Sequence, residues 1–270
     1  MTFSERDSSM TDYANLTTEI KDGVLTVKLH RPPANAFSRK MVEELIEVLR
    51  VAEGEEPVRC LVFTGHEGYF SSGHDVAEIS EVSGTDSYRY HLQTTYNRLV
   101  LRMRRLEKPI VGAINGLAVG AGLGFALATD IRWAAESARF IFGFTAVGLT
   151  TDAGTSLTLP LLIGMARAME MAFLNEPLTA EQALSYGLIS RVLPDEELSS
   201  TVAEMAVRLA AGPTRSFGLT KRAFNRALLS GLADTLDYEA HLQEIAHRTA
   251  DHQEGIAAFL GKRQPEFGGK

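Results

Sequence analysis

The segment VGLTTDAGTS, residues 147–156, places one carboxylate, Asp152, among apolar and hydroxyl side chains just before a helical pattern. A carboxylate there can cap the helix predicted from Ala153, because Asp accepts hydrogen bonds from the first amides of a helix. It can also serve as a general acid or base. In that role apolar neighbours such as Phe144 and Leu149 raise its pKa by desolvation, while the helix N-terminus lowers it. These residues alone leave both roles open.

Two glycine-containing turns offer backbone amides for binding a negative oxygen. In KPIVGAINGLAVGAGLGFALATD, residues 108–130, small side chains at 120–124 open a helix and allow a ligand to approach its first amides. In FSSGHD, residues 70–75, a turn after a strand can aim the Ser72 amide into the same cleft. Two converging N–H groups would form an oxyanion hole. The alternatives are close helix packing for the glycines and an N-cap for Asp75.

Other kinds of site lack their motifs in this sequence. The glycine-rich helix start does not have GxGxxG spacing, and the chain has no GxxxxGK[ST], HExxH or GxSxG sequence. Cys60 is the only cysteine, so the chain has no intrachain disulfide and no cysteine metal cluster. We therefore predict no metal site, and we expect His74 to be an exposed loop residue.

Alternating strand and helix patterns must position these turns. Residues 18–30 predict a hairpin around Asp22-Gly23, and Ser38 is the predicted cap of the next helix. Strands are predicted at 58–64, 110–115, 130–135 and 139–142, with helices at about 86–105 and after Gly120. This order indicates the α/β class. After residue 153 the patterns are helical, and LISRVL is the one predicted strand.

Length and charge limit the organisation of the protein. The 270 residues, 45% of them hydrophobic, can bury one large core. We predict a flexible N-terminus at 1–15, a core at 16–195, and a helical region at 196–270 that packs on the core or on a neighbouring subunit. The formal charge of −7 does not favour nucleic acid or an anionic membrane as a partner. The absence of a signal peptide pattern and of any apolar stretch of ~20 residues leads us to expect a cytoplasmic protein.

Together with AEQALSYGLISRVL and EGIAAFLGKRQPEF, these motifs resemble the enoyl-CoA hydratase/isomerase (crotonase) superfamily from about residue 16 to 268. The resemblance implies a crotonase-like ββα spiral core with a C-terminal helical trimerisation region. It also implies a homo-oligomer, a trimer or a dimer of trimers. The implied partner is an acyl-CoA thioester, and no separate cofactor is expected because coenzyme A is part of the substrate.

The resemblance assigns roles to individual residues. The thioester oxygen would rest between the amides of Ser72 and Ala121. The acyl pocket would include Gly124, Phe144 and Leu149. The residues implied for coenzyme A binding are Ala34, Asp75 and Val76, with Phe259 and Lys262 flanking the nucleotide of an adjacent subunit.

Two departures from the family pattern concern the reaction. Hydratases of the family use two glutamates, and Gly124 and Phe144 stand at their apparent positions. Hydration therefore lacks its acid and base. Asp152 resembles the carboxylate of isomerases that act on epoxyphenylacetyl-CoA or 3-enoyl-CoA, so we predict an acyl-CoA isomerase with Asp152 as the acid/base. The alternatives are an enoyl-CoA hydratase of fatty-acid or aromatic-acid catabolism and a non-catalytic acyl-CoA-binding protein. A dehalogenase branch would need Trp at Phe144 and His at Asn97.

Overall fold

A computed structural model describes residues 13–81 and 87–270. Most of the predicted flexible segment 1–15 lies outside the described residues. The larger of two sheets is parallel except for its first strand. Its strands are, in spatial order, β1 (Leu16–Lys21), β2 (Val24–Leu29), β3 (Cys60–Thr64), β5 (Ile110–Ile114), β7 (Ile131–Ala135) and β10 (Arg191–Leu193). The smaller sheet contains β4 (Tyr69–Ser71), β6 (Leu117–Val119), β8 (Arg139–Ile141) and β9 (Leu178–Thr179).

The two sheets are built from a repeated strand–strand–helix unit. In each repeat the first strand (β3, β5 or β7) joins the larger sheet, and the second (β4, β6 or β8) joins the smaller sheet. The helices of this part are α1 (Arg39–Gly54), α2 (Val76–Glu81), α3 (Tyr88–Thr94), α4 (Tyr96–Arg105), α5 (Ala121–Leu127), α6 (Thr155–Ile163), α7 (Met165–Leu174) and α8 (Ala180–Tyr186). The predicted α/β class and ββα spiral are confirmed.

The C-terminal region is helical, as predicted. It contains α9 (Asp195–Ala210), α10 (Thr214–Leu228), α11 (Leu232–His247) and α12 (Ala250–Leu260). Helix α9 covers the outer face of the larger sheet, where Val202 and Ala206 pack with Cys60 and Val62. The strand neighbours Leu61 and Phe63 face the main core instead. Both faces of this sheet are thus buried, as expected for parallel strands.

Most of the predicted elements are present, but β6 and β9 are strands that the sequence patterns do not predict, and one predicted helix is divided. Asp22 and Gly23 both have positive φ in the hairpin turn, and the Ser38 hydroxyl accepts a hydrogen bond from the Met41 amide at the start of α1. The single helix predicted over 86–105 is two helices, because Thr95 leaves helical geometry with φ −116° and ψ −92°. This break lets α3 and α4 present different side chains to the same region.

None of the helices in the described ranges is both long and apolar enough to cross a membrane.

Candidate active site

Helix α5 begins with amides that are not capped by any side chain in the described ranges. Gly120 precedes it with φ +54° and ψ −122°, a conformation that glycine adopts without a clash from a β-carbon. The Ala121 amide has no acceptor among the described residues. The first amides of a helix carry a partial positive charge, so this helix start can bind a negative oxygen.

The loop after β4 lies beside the start of α5. Its hydrogen bonds show that the Ser72 amide, one of the two predicted donors, is not available. The Ser72 amide donates to the Ala34 carbonyl at 3.0 Å, so it is already engaged. Gly73 has φ +89°, and a β-carbon there would stand 2.7 Å from Val119 O and 3.3 Å from Ala121 N. The amide of the next residue, His74, has no acceptor in the described hydrogen-bond set. The available pair of amides is therefore His74 and Ala121.

Asp152 does not cap α6. Ala153 and Gly154 both have positive φ, and the Thr155 amide donates to Asp152 O at 3.0 Å, so a tight turn separates Asp152 from the helix. Helix α6 consequently begins at Thr155 and not at Ala153. Its first amides are taken by Glu239 of α11, which accepts from the Gly154 and Ser156 amides at 2.8 Å each. The structure thus excludes the capping role for Asp152.

The Asp152 carboxylate is almost completely buried, with 2% of the residue exposed. Its Oδ2 accepts a hydrogen bond from Gln243 Nε2 at 3.1 Å, whereas its Oδ1 has no partner in the part of the chain that the structure describes. Burial, together with the negative charge of Glu239, raises the pKa of Asp152 to about 8. A carboxyl group with that pKa can both accept and return a proton near neutral pH.

The turn that holds Asp152 packs into the space beside Gly124. A β-carbon on Gly124 would stand 2.6 Å from Ala153 Cβ and 2.8 Å from Thr155 Oγ1. A glutamate at position 124 therefore conflicts with the observed position of the Asp152 turn. Phe144 and Leu149 are also buried, and the Leu149 amide donates to the Phe144 carbonyl at 3.0 Å.

A cluster of aromatic and imidazole rings from α3, α4 and the loop before α2 lies near Asp152. The His74 ring stacks on His91 with centroids 4.9 Å apart, and Tyr96 lies 5.4 Å from His74. Tyr88 OH lies 3.2 Å from His74 Nδ1, so the expectation of an exposed His74 side chain is wrong. Burial and the charge of Asp152 raise the pKa values of Tyr88 and Tyr96 well above 10. Burial lowers the pKa of His74 to about 3 and that of His91 to about 4, so both rings are neutral at pH 7.

The residues implied for coenzyme A binding lie in two places. Ala34, Asp75 and Val76 are near the predicted amides, because Ala34 bonds to Ser72 and Asp75 follows His74. The Asp75 carboxylate caps the Ala77 amide and pairs with Arg31 at 2.5 Å, so its N-cap role is real. Phe259 and Lys262 are exposed at the end of α12, and their contact with an adjacent subunit stays a prediction.

Sequence reasoning missed the two side chains that contact the Asp152 turn, Glu239 and Gln243. A signal for them exists in α11. Its buried positions are Leu232, Leu236, Glu239, Ala240 and Gln243, which follow one helical stripe. Two polar residues on an otherwise apolar stripe indicate buried partners, although the pattern does not identify those partners.

Known proteins are similar to this chain over most of its length. The model of the enoyl-CoA hydratase/isomerase family matches residues 19–270. The chain is 40% identical to a 1,2-epoxyphenylacetyl-CoA isomerase of Escherichia coli K12, over 94% of this chain and 98% of that protein. It is 38% identical to a probable enoyl-CoA hydratase of Rhodobacter capsulatus, over 96% and 99%. A crystal structure of an enoyl-CoA hydratase from Mycobacterium avium subsp. paratuberculosis superposes with a TM-score of 0.86 at 33% identity, over 95% and 99%.

Proposed function

Because the chain belongs to the enoyl-CoA hydratase/isomerase family, we propose that it is an acyl-CoA isomerase in which Asp152 moves a proton between carbons of the acyl group. The observation that carries this proposal is a buried carboxyl group with one oxygen unpartnered among the described residues and a pKa of about 8. An ordinary surface or capping aspartate has neither property.

In the proposed reaction, the amides of His74 and Ala121 donate to the thioester carbonyl oxygen. As Asp152 removes a proton next to the carbonyl or at the far end of an allylic system, negative charge develops on that oxygen. The two amides stabilise the resulting enolate. Asp152 then returns the proton to another carbon on the same face, which shifts the double bond. One acid/base is sufficient for both steps.

The hydratase alternative has less support from the site. Adding water needs one group that activates the water and one that protonates carbon. The space that a side chain at position 124 would need is occupied by the methyl group of Ala153 and the hydroxyl group of Thr155, and Phe144 provides no acid. Hydration would have to use Asp152 alone. The epoxyphenylacetyl-CoA isomerase relative makes a ring-substituted acetyl thioester the first substrate to test, together with a place in phenylacetate catabolism.

The proposed oligomer, a trimer or a dimer of trimers, is supported by exposed apolar side chains. They occur on α6, α7 and α10 and include Leu161, Met165, Met169, Phe173, Phe224 and Leu228. Exposed apolar surface of this extent is typical of an interface. In that assembly, Phe259 and Lys262 are proposed to contact coenzyme A bound to a neighbour. The buried free thiol of Cys60 agrees with a reducing compartment such as the cytoplasm.

Deuterium incorporation tests the proposed reaction. The protein is incubated in heavy water with 2-enoyl, 3-enoyl and epoxyphenylacetyl thioesters of coenzyme A, and exchange at acyl carbons is followed by mass spectrometry. We expect Asp152→Asn to reduce exchange by about 10³-fold with thioester affinity nearly unchanged. Asp234→Asn, an exposed change on α11, is the matched control.

Three other results would contradict the proposal. Unchanged exchange in Asp152→Asn would remove Asp152 from the reaction. Thioester binding without any exchange would identify a non-catalytic binding protein. Hydration of a 2-enoyl thioester as the main activity would identify a hydratase.

A further inference from the structure

Helix α11 contacts the Asp152 turn through two side chains one helical turn apart. Glu239 and Gln243 are separated by four residues, so they lie on the same face of the helix. They are 2% and 0% exposed. Both face the segment 150–156, although they lie 83 to 93 positions further along the chain.

Gln243 holds both the backbone and the side chain of this segment. Its Oε1 accepts from the Thr150 amide at 3.2 Å, and its Nε2 donates to Asp152 Oδ2 at 3.1 Å. The side-chain amide of Gln243 therefore fixes the Asp152 carboxylate relative to the backbone at Thr150. Because only Oδ2 is bound in this way, Oδ1 is left for another partner.

Glu239 occupies the N-terminus of α6. It accepts hydrogen bonds from the Gly154 and Ser156 amides at 2.8 Å and from Ser156 Oγ at 2.5 Å. A helix N-terminus stabilises a nearby negative charge. The acidic residue that precedes α6 most closely in the sequence is Asp152. With the carboxylate of Glu239 already there, the helix dipole is compensated and Asp152 receives no capping hydrogen bond from α6.

We propose that Glu239 and Gln243 are positioning residues for Asp152: Glu239 takes the helix N-terminus in its place, and Gln243 fixes the carboxylate with one oxygen free for the substrate. The proposal rests on the proposed function in treating Asp152 as the acid/base. Neither residue touches the acyl group in this scheme. They act through the orientation and ionisation of Asp152.

The two residues act on Asp152 ionisation in opposite directions. The charge of Glu239 raises the pKa of Asp152, and the hydrogen bond from Gln243 lowers it. Among residues 13–81 and 87–270, the other titratable groups that interact electrostatically with Asp152 are Tyr88 of α3 and Tyr96 of α4, and both stay neutral at pH 7. Burial is the largest cause of the raised pKa of Asp152, and replacement of Glu239 or Gln243 is expected to change that pKa further in opposite directions.

Carbon-13 NMR of the Asp152 carboxyl group tests this inference without using activity. Full-length protein labelled with carboxyl-labelled aspartate is titrated with acid and base, and Asp152→Asn identifies the signal. We expect the titration midpoint to move to lower pH in Glu239→Gln and to higher pH in Gln243→Met. It should stay in place in Asp234→Asn, the matched control on α11. Glu239→Asp keeps the negative charge, so its titration midpoint should lie closer to that of the original protein than the midpoint of Glu239→Gln does.

Turnover gives a second measurement. We expect Gln243→Met to reduce kcat by about ten- to hundredfold with little change in KM, because the carboxylate loses the bond that orients it. The acidic limb of kcat/KM should move with the NMR midpoint in each variant. A residue that only stabilises the fold would change neither the limb nor the midpoint.

Midpoints that stay fixed, or that move in the same direction in Glu239→Gln and Gln243→Met, overturn the inference. If Glu239→Gln does not fold, the upward movement in Gln243→Met or Gln243→Asn decides the question. Failure of the proposed function gives a different result. In that case Asp152→Asn keeps full turnover, while the midpoints still report whether α11 controls the carboxyl group.

Discussion

Two helices begin at the candidate site, and they treat their first amides differently. Both α5 and α6 follow a glycine with positive φ, 54° at Gly120 and 77° at Gly154, and neither is capped by its own preceding side chain. At α6 the carboxylate of Glu239, from the distant helix α11, accepts hydrogen bonds from the Gly154 and Ser156 amides. At α5 the Ala121 amide has no acceptor in the described part of the chain.

In the proposed reaction, this difference allows one site to hold both a base and an anion. An open helix N-terminus stabilises negative charge, which suits the oxygen of an enolate but would lower the pKa of a nearby carboxylate. The filled N-terminus of α6 is next to Asp152, and the open one of α5 is next to Gly73. In the proposed reaction, the open N-terminus of α5 binds the thioester oxygen, while Glu239 occupies the N-terminus of α6 that would otherwise be available to Asp152.

Among variants that leave Asp152 in place, the largest effect should come from removing the open amide. Ala121→Pro eliminates the N–H group, and proline is tolerated at the first position of a helix. We expect kcat to fall by about 10²–10³-fold, because one oxyanion donor is lost. Steady-state kinetics with the best thioester of the panel measure this. Ala121→Ser keeps the amide and should retain turnover, and an equal loss in both variants would argue against a role for the N–H group.

The next effect concerns the packing between the two helix starts. In Gly124→Ala, the new methyl group meets Ala153 Cβ at 2.6 Å and Thr155 Oγ1 at 2.8 Å. We expect the free energy of unfolding to fall by about 1–3 kcal/mol, as for other overpacked positions. Urea unfolding measures it. Gly54→Ala, where a β-carbon meets nothing within 4 Å, is the control, and an unaffected Gly124→Ala would show that the turn can move.

The pH dependence of the free energy of unfolding should reveal the raised pKa of Asp152. Its pKa is raised from 3.8 to about 8 in the folded state, so the folded protein binds this proton more tightly than the unfolded chain. The resulting stabilisation is complete below pH 4 and is lost as the pH rises towards 8. Each pH unit in this window costs about 1.4 kcal/mol for one proton.

Asp152→Asn removes this proton, so its stability relative to the original protein should rise between pH 4 and 8. The neutral histidines, His74 and His91, oppose the trend below pH 6.5, because their lowered pKa values make stability fall as the pH falls. They are present in both proteins and cancel in the difference. Denaturant unfolding at several pH values measures the difference, and a constant difference would mean that Asp152 ionises normally.

The smallest effect is expected at an ordinary cap. Ser38 accepts a hydrogen bond from the Met41 amide at 3.2 Å and has no part in the site. We expect Ser38→Ala to reduce the free energy of unfolding by about 1 kcal/mol without changing the pH limb of activity. Thermal unfolding and a pH profile test both parts. A changed limb would show that caps act on the site in general, which would weaken the contrast between α5 and α6.

The sequence predicted what local patterns encode. The turn at Asp22-Gly23, the cap at Ser38 and the alternation of strands and helices depend on neighbours a few residues apart, and all are present, whereas the ββα spiral was implied by the family resemblance. The break at Thr95 was not predicted, because the apolar pattern continues across it.

The site depends on distant partners, and these account for the errors. The Ser72 amide is engaged by Ala34, a carbonyl 38 positions earlier, and this shifts the available donor to His74. The cap of α6 comes from Glu239, 85 positions after Gly154. No local pattern around Asp152 distinguishes a capping carboxylate from one displaced by a remote glutamate.

Helix α11 also holds the opposite side of the site, since Glu244 accepts from Ser87 Oγ and the Arg89 amide at the start of α3 at 2.9 Å each. The Asp152 turn and the start of α3, which contains Tyr88, are therefore both hydrogen-bonded to α11. A chain that ended after α10 would lack the hydrogen bonds of Glu239 and Gln243 to the Asp152 turn, and it would also lack Leu232, Leu236 and Ala240, which α11 adds to the main core.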